Sequence, residues 1–416
     1  MRLLVVTQYF WPENFRINEL VAELAVRGHE IVVLTGKPNY PEGAVFPAFL
    51  ENPQAYGRYA GATVIRVPML ARGRGKLRLT LNYLSYALSA TVAGLWRLRS
   101  ERFDAIFVFE PSPITVALPA ITLRARNGWP VALWVLDQWP ESLHAVGVTG
   151  PRILLRAITA MVRFIYARCD LVLGQSRGMG EQIRKYCPPG ARIDYFPNWT
   201  EAAYEGGAVT PAPEIPWRED CFSVLFAGNV GEAQDFPAVL DAAQRLSGHA
   251  DIRWLIVGDG RMMPWVREEI SRRRLQDIVL LTGRHDGSRM PSFYQHASAL
   301  LVSLRRDPIF EVTVPGKLQS YLASGIPVLA MLDGEGRCVV EEAGAGLACA
   351  AGDAAGLANA VLRMRAMDAA VRRGMGEAGR QYCRKEYDRG TLVSRVERWL
   401  GGLAAGPNGR MHGGEA

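Results

Sequence analysis

Phe222-Ser223-Val224-Leu225-Phe226-Ala227-Gly228-Asn229-Val230-Gly231 is a short apolar run that breaks on glycine, and a helical pattern opens after it near Phe236. A run of that length, bounded by glycine and followed by a helix, reads as a buried strand and its βα turn. The pattern recurs downstream at Ile252 to Val257, Ile278 to Thr282, Ala299 to Ser303 and Val328 to Met331. Upstream it is present at Arg2 to Gln8, Glu30 to Thr35, Thr63 to Val67, Ala105 to Phe109, Val131 to Leu136, Leu171 to Gly174 and Ile193 to Phe196. Strands alternating with helices predict an α/β chain with parallel sheets covered by helices on both faces. Between the two series, residues 201–217 hold Gly206, Gly207, Pro211, Pro213 and Pro216, which continue neither a helix nor a central strand. The expected organisation is therefore a first domain over 1–200, a linker over 201–217 and a second domain over 218–384. A helix over 385–402 is expected to return to the first domain, ahead of a disordered tail over 403–416.

The bulk numbers agree with two globular domains. The chain has 416 residues, 49% of them hydrophobic and 21% charged, more than one core usually accommodates. The net charge of +7 suits an anionic substrate or membrane surface, and no feature points to nucleic acid. Cys169, Cys187, Cys221, Cys338, Cys349 and Cys383 form no C-x-x-C pair, which disfavours zinc and redox motifs and fits a reducing compartment. The opening Leu3-Leu4-Val5-Val6 is too short for a signal peptide, so a cytoplasmic chain is expected, with Asn198-Trp199-Thr200 a chance sequon.

Ligands of doubly wound sheets bind outside the carboxyl ends of the strands. The loops of interest are thus Gly228 to Gln234, Val257-Gly258-Asp259-Gly260 and Gly283-Arg284-His285-Asp286. Small residues let backbone N–H groups approach a diphosphate, and a helix N-terminus adds positive charge. Farther on, Arg305-Arg306-Asp307-Pro308-Ile309-Phe310-Glu311 precedes Pro315-Gly316-Lys317, where a helix with a lysine at its positive end suits phosphate and an acidic residue ahead of it suits sugar hydroxyls.

Taken in order, Phe226-Ala227-Gly228-Asn229, Val257-Gly258-Asp259-Gly260, Glu311…Pro315-Gly316-Lys317…Gly325-Ile326-Pro327-Val328 and Glu342-Ala343-Gly344-Ala345-Gly346…Gly352-Asp353 resemble the family 4 retaining glycosyltransferases. Phe10-Trp11-Pro12-Glu13-Asn14, Glu110-Pro111-Ser112-Pro113, Asp137 to Leu143 and Pro197-Asn198-Trp199 resemble the subgroup of fucosaminyl- and colanic-acid-type transferases. The resemblance implies a GT-B fold, two Rossmann-like domains facing each other across a cleft. It implies sugar transfer, with retention, from a nucleoside diphosphate sugar to a lipid-linked or oligosaccharide acceptor in surface polysaccharide synthesis. UDP is favoured as the nucleotide, with GDP the alternative.

By that resemblance Gly228, Asn229, Gln234, Gly258, Arg284, Arg306, Gln319 and Ser320 are expected on the donor. Asp137, Glu311 and Lys317 are expected at the reaction centre, and Asn14, Phe15, Arg16, Trp139 and Glu141 on the acceptor. The family's Glu-x7-Glu signature is broken: counting from Gly325 gives Val312 and Ser320, counting from Glu311 gives Gln319. Asn229 and Gln234 stand where the family often has a basic pair, a loss that Lys317 with Arg305 or Arg306 can offset. No D-x-D pair occurs, so neither metal nor cofactor is expected. Two alternatives remain: a non-catalytic sugar-binding protein on this fold, and a serine hydrolase, because Gly174-Gln175-Ser176-Arg177-Gly178 matches the G-x-S-x-G elbow.

Charge placement adds a membrane expectation. No acidic residue lies between Gln54 and Ser100, whereas Arg58, Arg66, Arg72, Arg74, Lys76, Arg78, Arg97 and Arg99 do. The stretch leads into an apolar segment from Leu79 to Leu98, interrupted by Asn82, Ser85, Ser89, Thr91 and Gly94. Ser142 to Cys169 repeats the pattern with Arg152, Arg156, Arg163 and Arg168. Basic, apolar and acid-free segments of this kind fit salt-sensitive attachment to an anionic membrane, or core helices with solvated arginines.

Overall fold

Leu3, Leu4, Val5 and Val6 are all buried, so the first apolar run has lost solvent on both faces, the condition under which a strand sits inside a parallel sheet. The computed structural model describes residues 1–73, 75–145, 152–200 and 209–406. The chain divides into two units, Met1–Pro197 with Gly390–Ala416, and Asn198–Arg389.

The first unit carries β1 (Arg2–Val6), β2 (Glu30–Thr35), β3 (Arg58–Tyr59), β4 (Ala62–Arg66), β5 (Ala105–Glu110), β6 (Val131–Val135), β7 (Leu171–Gly174) and β8 (Ile193–Tyr195) in the order β3-β4-β2-β1-β5-β6-β7-β8. Only β3 runs antiparallel, to β4. The second unit carries β9 (Phe222–Ala227), β10 (Ile252–Val257), β11 (Val279–Gly283), β12 (Ala299–Ser303), β13 (Val328–Met331) and β14 (Gly346–Cys349) in the order β11-β10-β9-β12-β13-β14. Each sheet reverses its winding beside its first strand, between β1 and β5 and between β9 and β12. Those reversals are where an open α/β sheet leaves a crevice for ligands.

Two strands escaped the sequence reading, β3 and β14. In β14 a Cβ on Gly346 would stand 1.8 Å from the Val328 carbonyl oxygen, so the strand must open on the residue that carries no apolar signal. The first strand also ends at Val6 rather than Gln8. There Gln8 turns aside to donate to Asn82 Oδ1 at 2.7 Å.

Two apolar layers cover the faces of the second sheet, one containing helix Phe236–Arg245 and helix Ala354–Ala366, the other helix Gly316–Ser324. Full burial of each large side chain contributes about 1.5–3 kcal/mol. The proline-rich end of the expected linker belongs to this unit. Ala212 and Ile215 are buried in its core, and Ala212 donates to the Ser292 carbonyl at 3.1 Å; residues 201–208 lie outside the described chain.

One face of the first sheet packs helix Lys76–Arg97, helix Leu118–Asn127 and helix Arg152–Tyr166. The long helix is turned in an unusual sense. Its polar Asn82 is buried and donates to the Leu70 carbonyl at 2.6 Å, and the Tyr86 hydroxyl donates to the Thr7 carbonyl at 2.8 Å. Ser85, Ser89 and Thr91 return their hydroxyls to carbonyls of the helix itself. Leu77, Leu81, Leu84 and Leu88 therefore face outward, while Leu95 packs on the core. Helix Arg389–Ala404 joins the first unit through Glu397, which accepts from Arg27 and pairs with His29, each at 2.6 Å. The expected tail begins inside that helix, and residues 407–416 lie outside the described chain.

Candidate active site

At the end of β9 the chain turns at Gly228, φ +129°, and at the end of β10 at Gly258, φ +147°. A Cβ on Gly258 would stand 1.9 Å from the Gly228 carbonyl oxygen, and one on Gly260 2.3 Å from that of Val230. The two turns are thus packed backbone to backbone, and only glycine fits. Val230 N donates to the Asp259 carbonyl at 2.9 Å and Gly228 N to that of Val257 at 2.9 Å. Gln234 closes its own loop, its Oε1 accepting from Gly231 N at 3.0 Å, while Gly228 and Asn229 are exposed.

Lys317, in the first turn of helix Gly316–Ser324, reaches under this loop. Its Nζ lies 3.6 Å from the centre of the Phe226 ring and 3.2 Å from where a Cβ of residue 228 would be. It is buried with no hydrogen-bond partner among the described residues, and burial pulls its pKa down to about 7. A buried amine beneath a glycine turn carries its charge at a cost that a nearby anion would offset.

The other residues around this helix sort by direction. Gln319 and Ser320 are both buried, and the Gln319 amide oxygen folds back toward Gly316 at the start of the helix. Glu311 ends the short helix Pro308–Glu311 with its side chain exposed. Arg306 points outward, donating to Asp333 Oδ2 at 3.4 Å. Its neighbour Arg305 ties its backbone to the loop, its N donating to the Ala233 carbonyl at 2.8 Å, while its side chain reaches Asp307 Oδ2 at 3.5 Å and lies over the Phe310 ring at 5.9 Å.

Beside the two glycine turns opens a pocket of about 430 Å³ bounded by Gly228, Asn229, Gly258, Asp259, Arg284 and His285. A second of about 420 Å³ adjoins it through Asn229, with Gln234 and Arg261. His285 is fixed. Its Nε2–H donates to the Thr282 carbonyl at 3.1 Å, which leaves Nδ1 to accept from Arg289 at 3.3 Å, and its ring rests 4.5 Å from that of Phe293. Arg289 is itself held by both oxygens of Glu214, at 2.7 and 3.0 Å.

In the first unit, Asn14, Phe15 and Arg16 open helix Arg16–Val26 in the loop after β1. Asn14 is exposed. Phe15 stacks on Tyr9 with ring centres 5.4 Å apart, and Arg16 pairs with Glu19 on its own helix at 3.0 Å. After β6, Asp137 N donates to Glu110 Oε2 at 3.4 Å, and Trp139 Nε1 donates to Asp137 Oδ2 at 3.1 Å, so Trp139 orients that carboxylate. Glu141 accepts from the Tyr186 hydroxyl and leaves Oε2 buried with no partner among the described residues. Glu110 is fully buried, its Oε1 with no partner among the described residues; burial first, and the Asp137 charge second, push its pKa well up.

Residues 14–199 match the family described as glycosyl transferase 4-like domain, and residues 221–366 match glycosyl transferases group 1. The chain belongs to the family 4 GT-B glycosyltransferases. WcaI of Escherichia coli strain K12, named for a colanic acid biosynthesis glycosyl transferase, is 26% identical over 344 residues, covering 78% of this chain and 82% of WcaI. Among solved structures, sucrose-phosphate synthase from Thermosynechococcus elongatus superposes with a TM-score of 0.74 at 15% identity, covering 97% and 99% of the two chains. Anabaena HepE in complex with UDP and glucose superposes with a TM-score of 0.64 at 12% identity, covering 96% and 99%.

The serine-hydrolase reading fails in this glycosyltransferase. Ser176 is buried and caps helix Arg177–Arg184, its Oγ accepting from Met179 N at 3.0 Å, with extended backbone at φ −136° in place of a strained elbow. Three residues of the transferase's loops were missed from sequence. Glu13 is buried and accepts from the backbone N atoms of Phe10, Asn39 and Tyr40 at 2.8–3.1 Å, which ties two loops together. Asp259 and His285 line the larger pocket. Their signal was present, since both stand in the glycine turns after strands where only Gly258 and Arg284 had been selected.

Proposed function

We propose that this glycosyltransferase takes a sugar from a nucleoside diphosphate sugar, UDP-linked and carrying an amino or deoxy sugar, and adds it with retention to a lipid-linked or oligosaccharide acceptor in surface polysaccharide synthesis. The observation that carries the donor half is the Lys317 amine, buried beneath the Gly228 turn with no acceptor among the described residues. A diphosphate over that turn meets the Lys317 charge from below and the start of helix Gly316–Ser324 beside it. The nucleoside then occupies the pocket by Arg284 and His285. Arg305 is better placed than Arg306 to reinforce this loop, and Gln319 takes the ribose-binding role that the broken signature leaves open. That HepE is described in complex with UDP and glucose supports a uridine nucleotide, and the WcaI likeness supports a polysaccharide product.

In the reaction the bond from the sugar C1 to the phosphate oxygen breaks, and a bond from C1 to the acceptor oxygen forms on the same face. The leaving phosphate oxygen takes the acceptor proton, and its growing charge is met by Lys317 and the loop without a metal. Glu311 orients donor hydroxyls, while Asp137, held by Trp139, lines the reaction centre. Asn14, Phe15 and Glu141 serve the acceptor. We place the chain at the cytoplasmic face of a bacterial membrane, peripherally attached to its anionic surface; no helix among the described residues is long and apolar enough to cross a membrane.

A thermal-shift panel of UDP and GDP sugars tests the donor, because a ligand at 100 times its dissociation constant stabilises by about 2.7 kcal/mol. UDP and UDP sugars are expected to raise the melting temperature. Stabilisation by GDP sugars alone would replace the uridine assignment, and stabilisation by no nucleotide would overturn the site. Product analysis with the stabilising donor and a lipid-linked acceptor then reads the anomeric configuration.

A further inference from the structure

Helix Lys76–Arg97 buries Asn82 and Tyr86 and turns a stripe of its apolar residues outward, while Ala90, Ala93 and Leu95 pack on the core. Between Leu81 and Trp96 its exposed positions are Leu81, Leu84, Leu88, Val92 and Trp96. Leu84 is 54% exposed, Leu88 68%, Val92 58% and Trp96 65%, so these side chains are solvated rather than grazing the surface. Steps of three and four residues put them on one line, which with Leu77 extends about 28 Å along the helix. A continuous apolar line of this length on a folded surface marks a contact with something else.

Charge narrows what that something is. Arg78 lies near one end, Arg97 and Arg99 at the other, and all three are exposed. Arg99 sits over the Trp96 ring at 5.9 Å. No acidic residue occurs from 54 to 100, and the first beyond, Glu101, is engaged by Arg2 at 2.6 Å. A second copy of the chain fits poorly. Antiparallel pairing on the stripe sets Arg78 against Arg97 and Arg99, and parallel pairing sets each arginine against itself, so both arrangements oppose like charges. An anionic bilayer answers both features, taking apolar side chains at the headgroup–acyl boundary and arginines on lipid phosphates.

We propose that the outward stripe of helix Lys76–Arg97 docks on an anionic lipid bilayer, with Leu84, Leu88, Val92 and Trp96 entering the boundary and Arg78, Arg97 and Arg99 on phosphates. Helix Arg152–Tyr166, on the same face of the sheet, repeats the device with exposed Ile153, Leu154 and Phe164, and Arg168 covers Phe164 at 3.7 Å. Arg66, counted among the basic residues of the stretch, takes no part. It is turned inward, donating to the carbonyls of Gly36 and Trp11.

The inference deepens the peripheral attachment proposed above by naming the surface, and its test uses neither donor nor acceptor. The full chain is sedimented with phosphatidylcholine vesicles, with and without phosphatidylglycerol. Each arginine at the leaflet is worth about five-fold in binding, so the chain is expected to favour the anionic vesicles by more than ten-fold, with rising salt eroding the preference. Arg97→Gln with Arg99→Gln is expected to lose about twenty-five-fold, and Leu84→Ser with Leu88→Ser at least ten-fold. Brominated lipid should quench fluorescence in the parent chain, and less so after Trp96→Phe. Both double variants replace exposed side chains, and an unchanged melting temperature and circular dichroism spectrum certify their fold. Failure to bind anionic vesicles, or equal binding by parent and both variants, overturns the proposal. A parent dimer that Leu84→Ser with Leu88→Ser converts to monomer, without vesicle binding, overturns it in favour of a second copy. UDP stabilisation without vesicle binding leaves the donor site standing and removes only the docking surface.

Discussion

Lys317 Nζ stands 3.6 Å from the centre of the Phe226 ring and has no hydrogen-bond acceptor among the described residues. The ring face keeps the amine under the Gly228 turn without neutralising it. Lys317→Ala should therefore lower turnover about 10²–10³-fold, because a preorganised cation acts on charge that develops in the transition state. Steady-state kinetics with the stabilising donor checks this, and unchanged turnover removes Lys317 from the reaction.

The same amine sets a pH dependence. In the free protein its pKa is about 7 against 10.5 for an ordinary lysine, and a bound diphosphate raises it again. Nucleotide binding should take up a proton above pH 7, so UDP affinity falls as the pH climbs. Folding stability without ligand runs the other way: the unfolded chain holds more protons between about 7 and 10.5, so stability rises with pH across that window. Calorimetry in buffers of different ionisation enthalpy reads the proton. In Lys317→Met both slopes should flatten.

Gly258→Ala should destabilise the second unit by about 2–4 kcal/mol, from strain and overpacking together, and abolish UDP stabilisation. Its Cβ has nowhere to go but into the Gly228 carbonyl. Gly248→Ala, where a Cβ meets nothing within 4 Å, is the control. Equal denaturation midpoints for the two variants would show that the turns are not packed as described.

With Glu311 on the donor sugar as proposed, Glu311→Gln should reduce sugar transfer while leaving UDP affinity within about two-fold. Separate titrations with UDP and with the intact donor distinguish the two. Parallel losses would move Glu311 out of the sugar pocket.

Ser176→Ala removes a helix cap and should cost about 1 kcal/mol of stability with turnover retained. Denaturant unfolding and kinetics on one preparation decide it. Lost turnover at unchanged stability would return Ser176 to the chemistry.

Runs such as Ile31 to Leu34, Phe222 to Ala227 and Ile252 to Val257 made both sheets legible in the sequence, because strands buried on both faces are nearly continuously apolar, and the two polar residues among them, Ser223 and Arg253, satisfy each other at 2.8 Å. The Gly228 and Gly258 turns were legible for a related reason: only glycine tolerates their φ and their contact. Tertiary structure alone separated the neighbours, Arg305 with its backbone on the Ala233 carbonyl and its side chain by Asp307 and Phe310, Arg306 out to Asp333. Adjacent residues project in different directions, and no periodicity records which direction meets the loop. The helix from Lys76 to Arg97 shows the limit most clearly. Its composition announced an apolar helix, but which side faced water depended on Thr7 and Gln8, whose polar groups at the end of β1 had to be met by Tyr86 and Asn82 from within. Buried hydrogen-bonding groups demand partners wherever the fold leaves them, and that demand, invisible along the chain, turned the leucines outward.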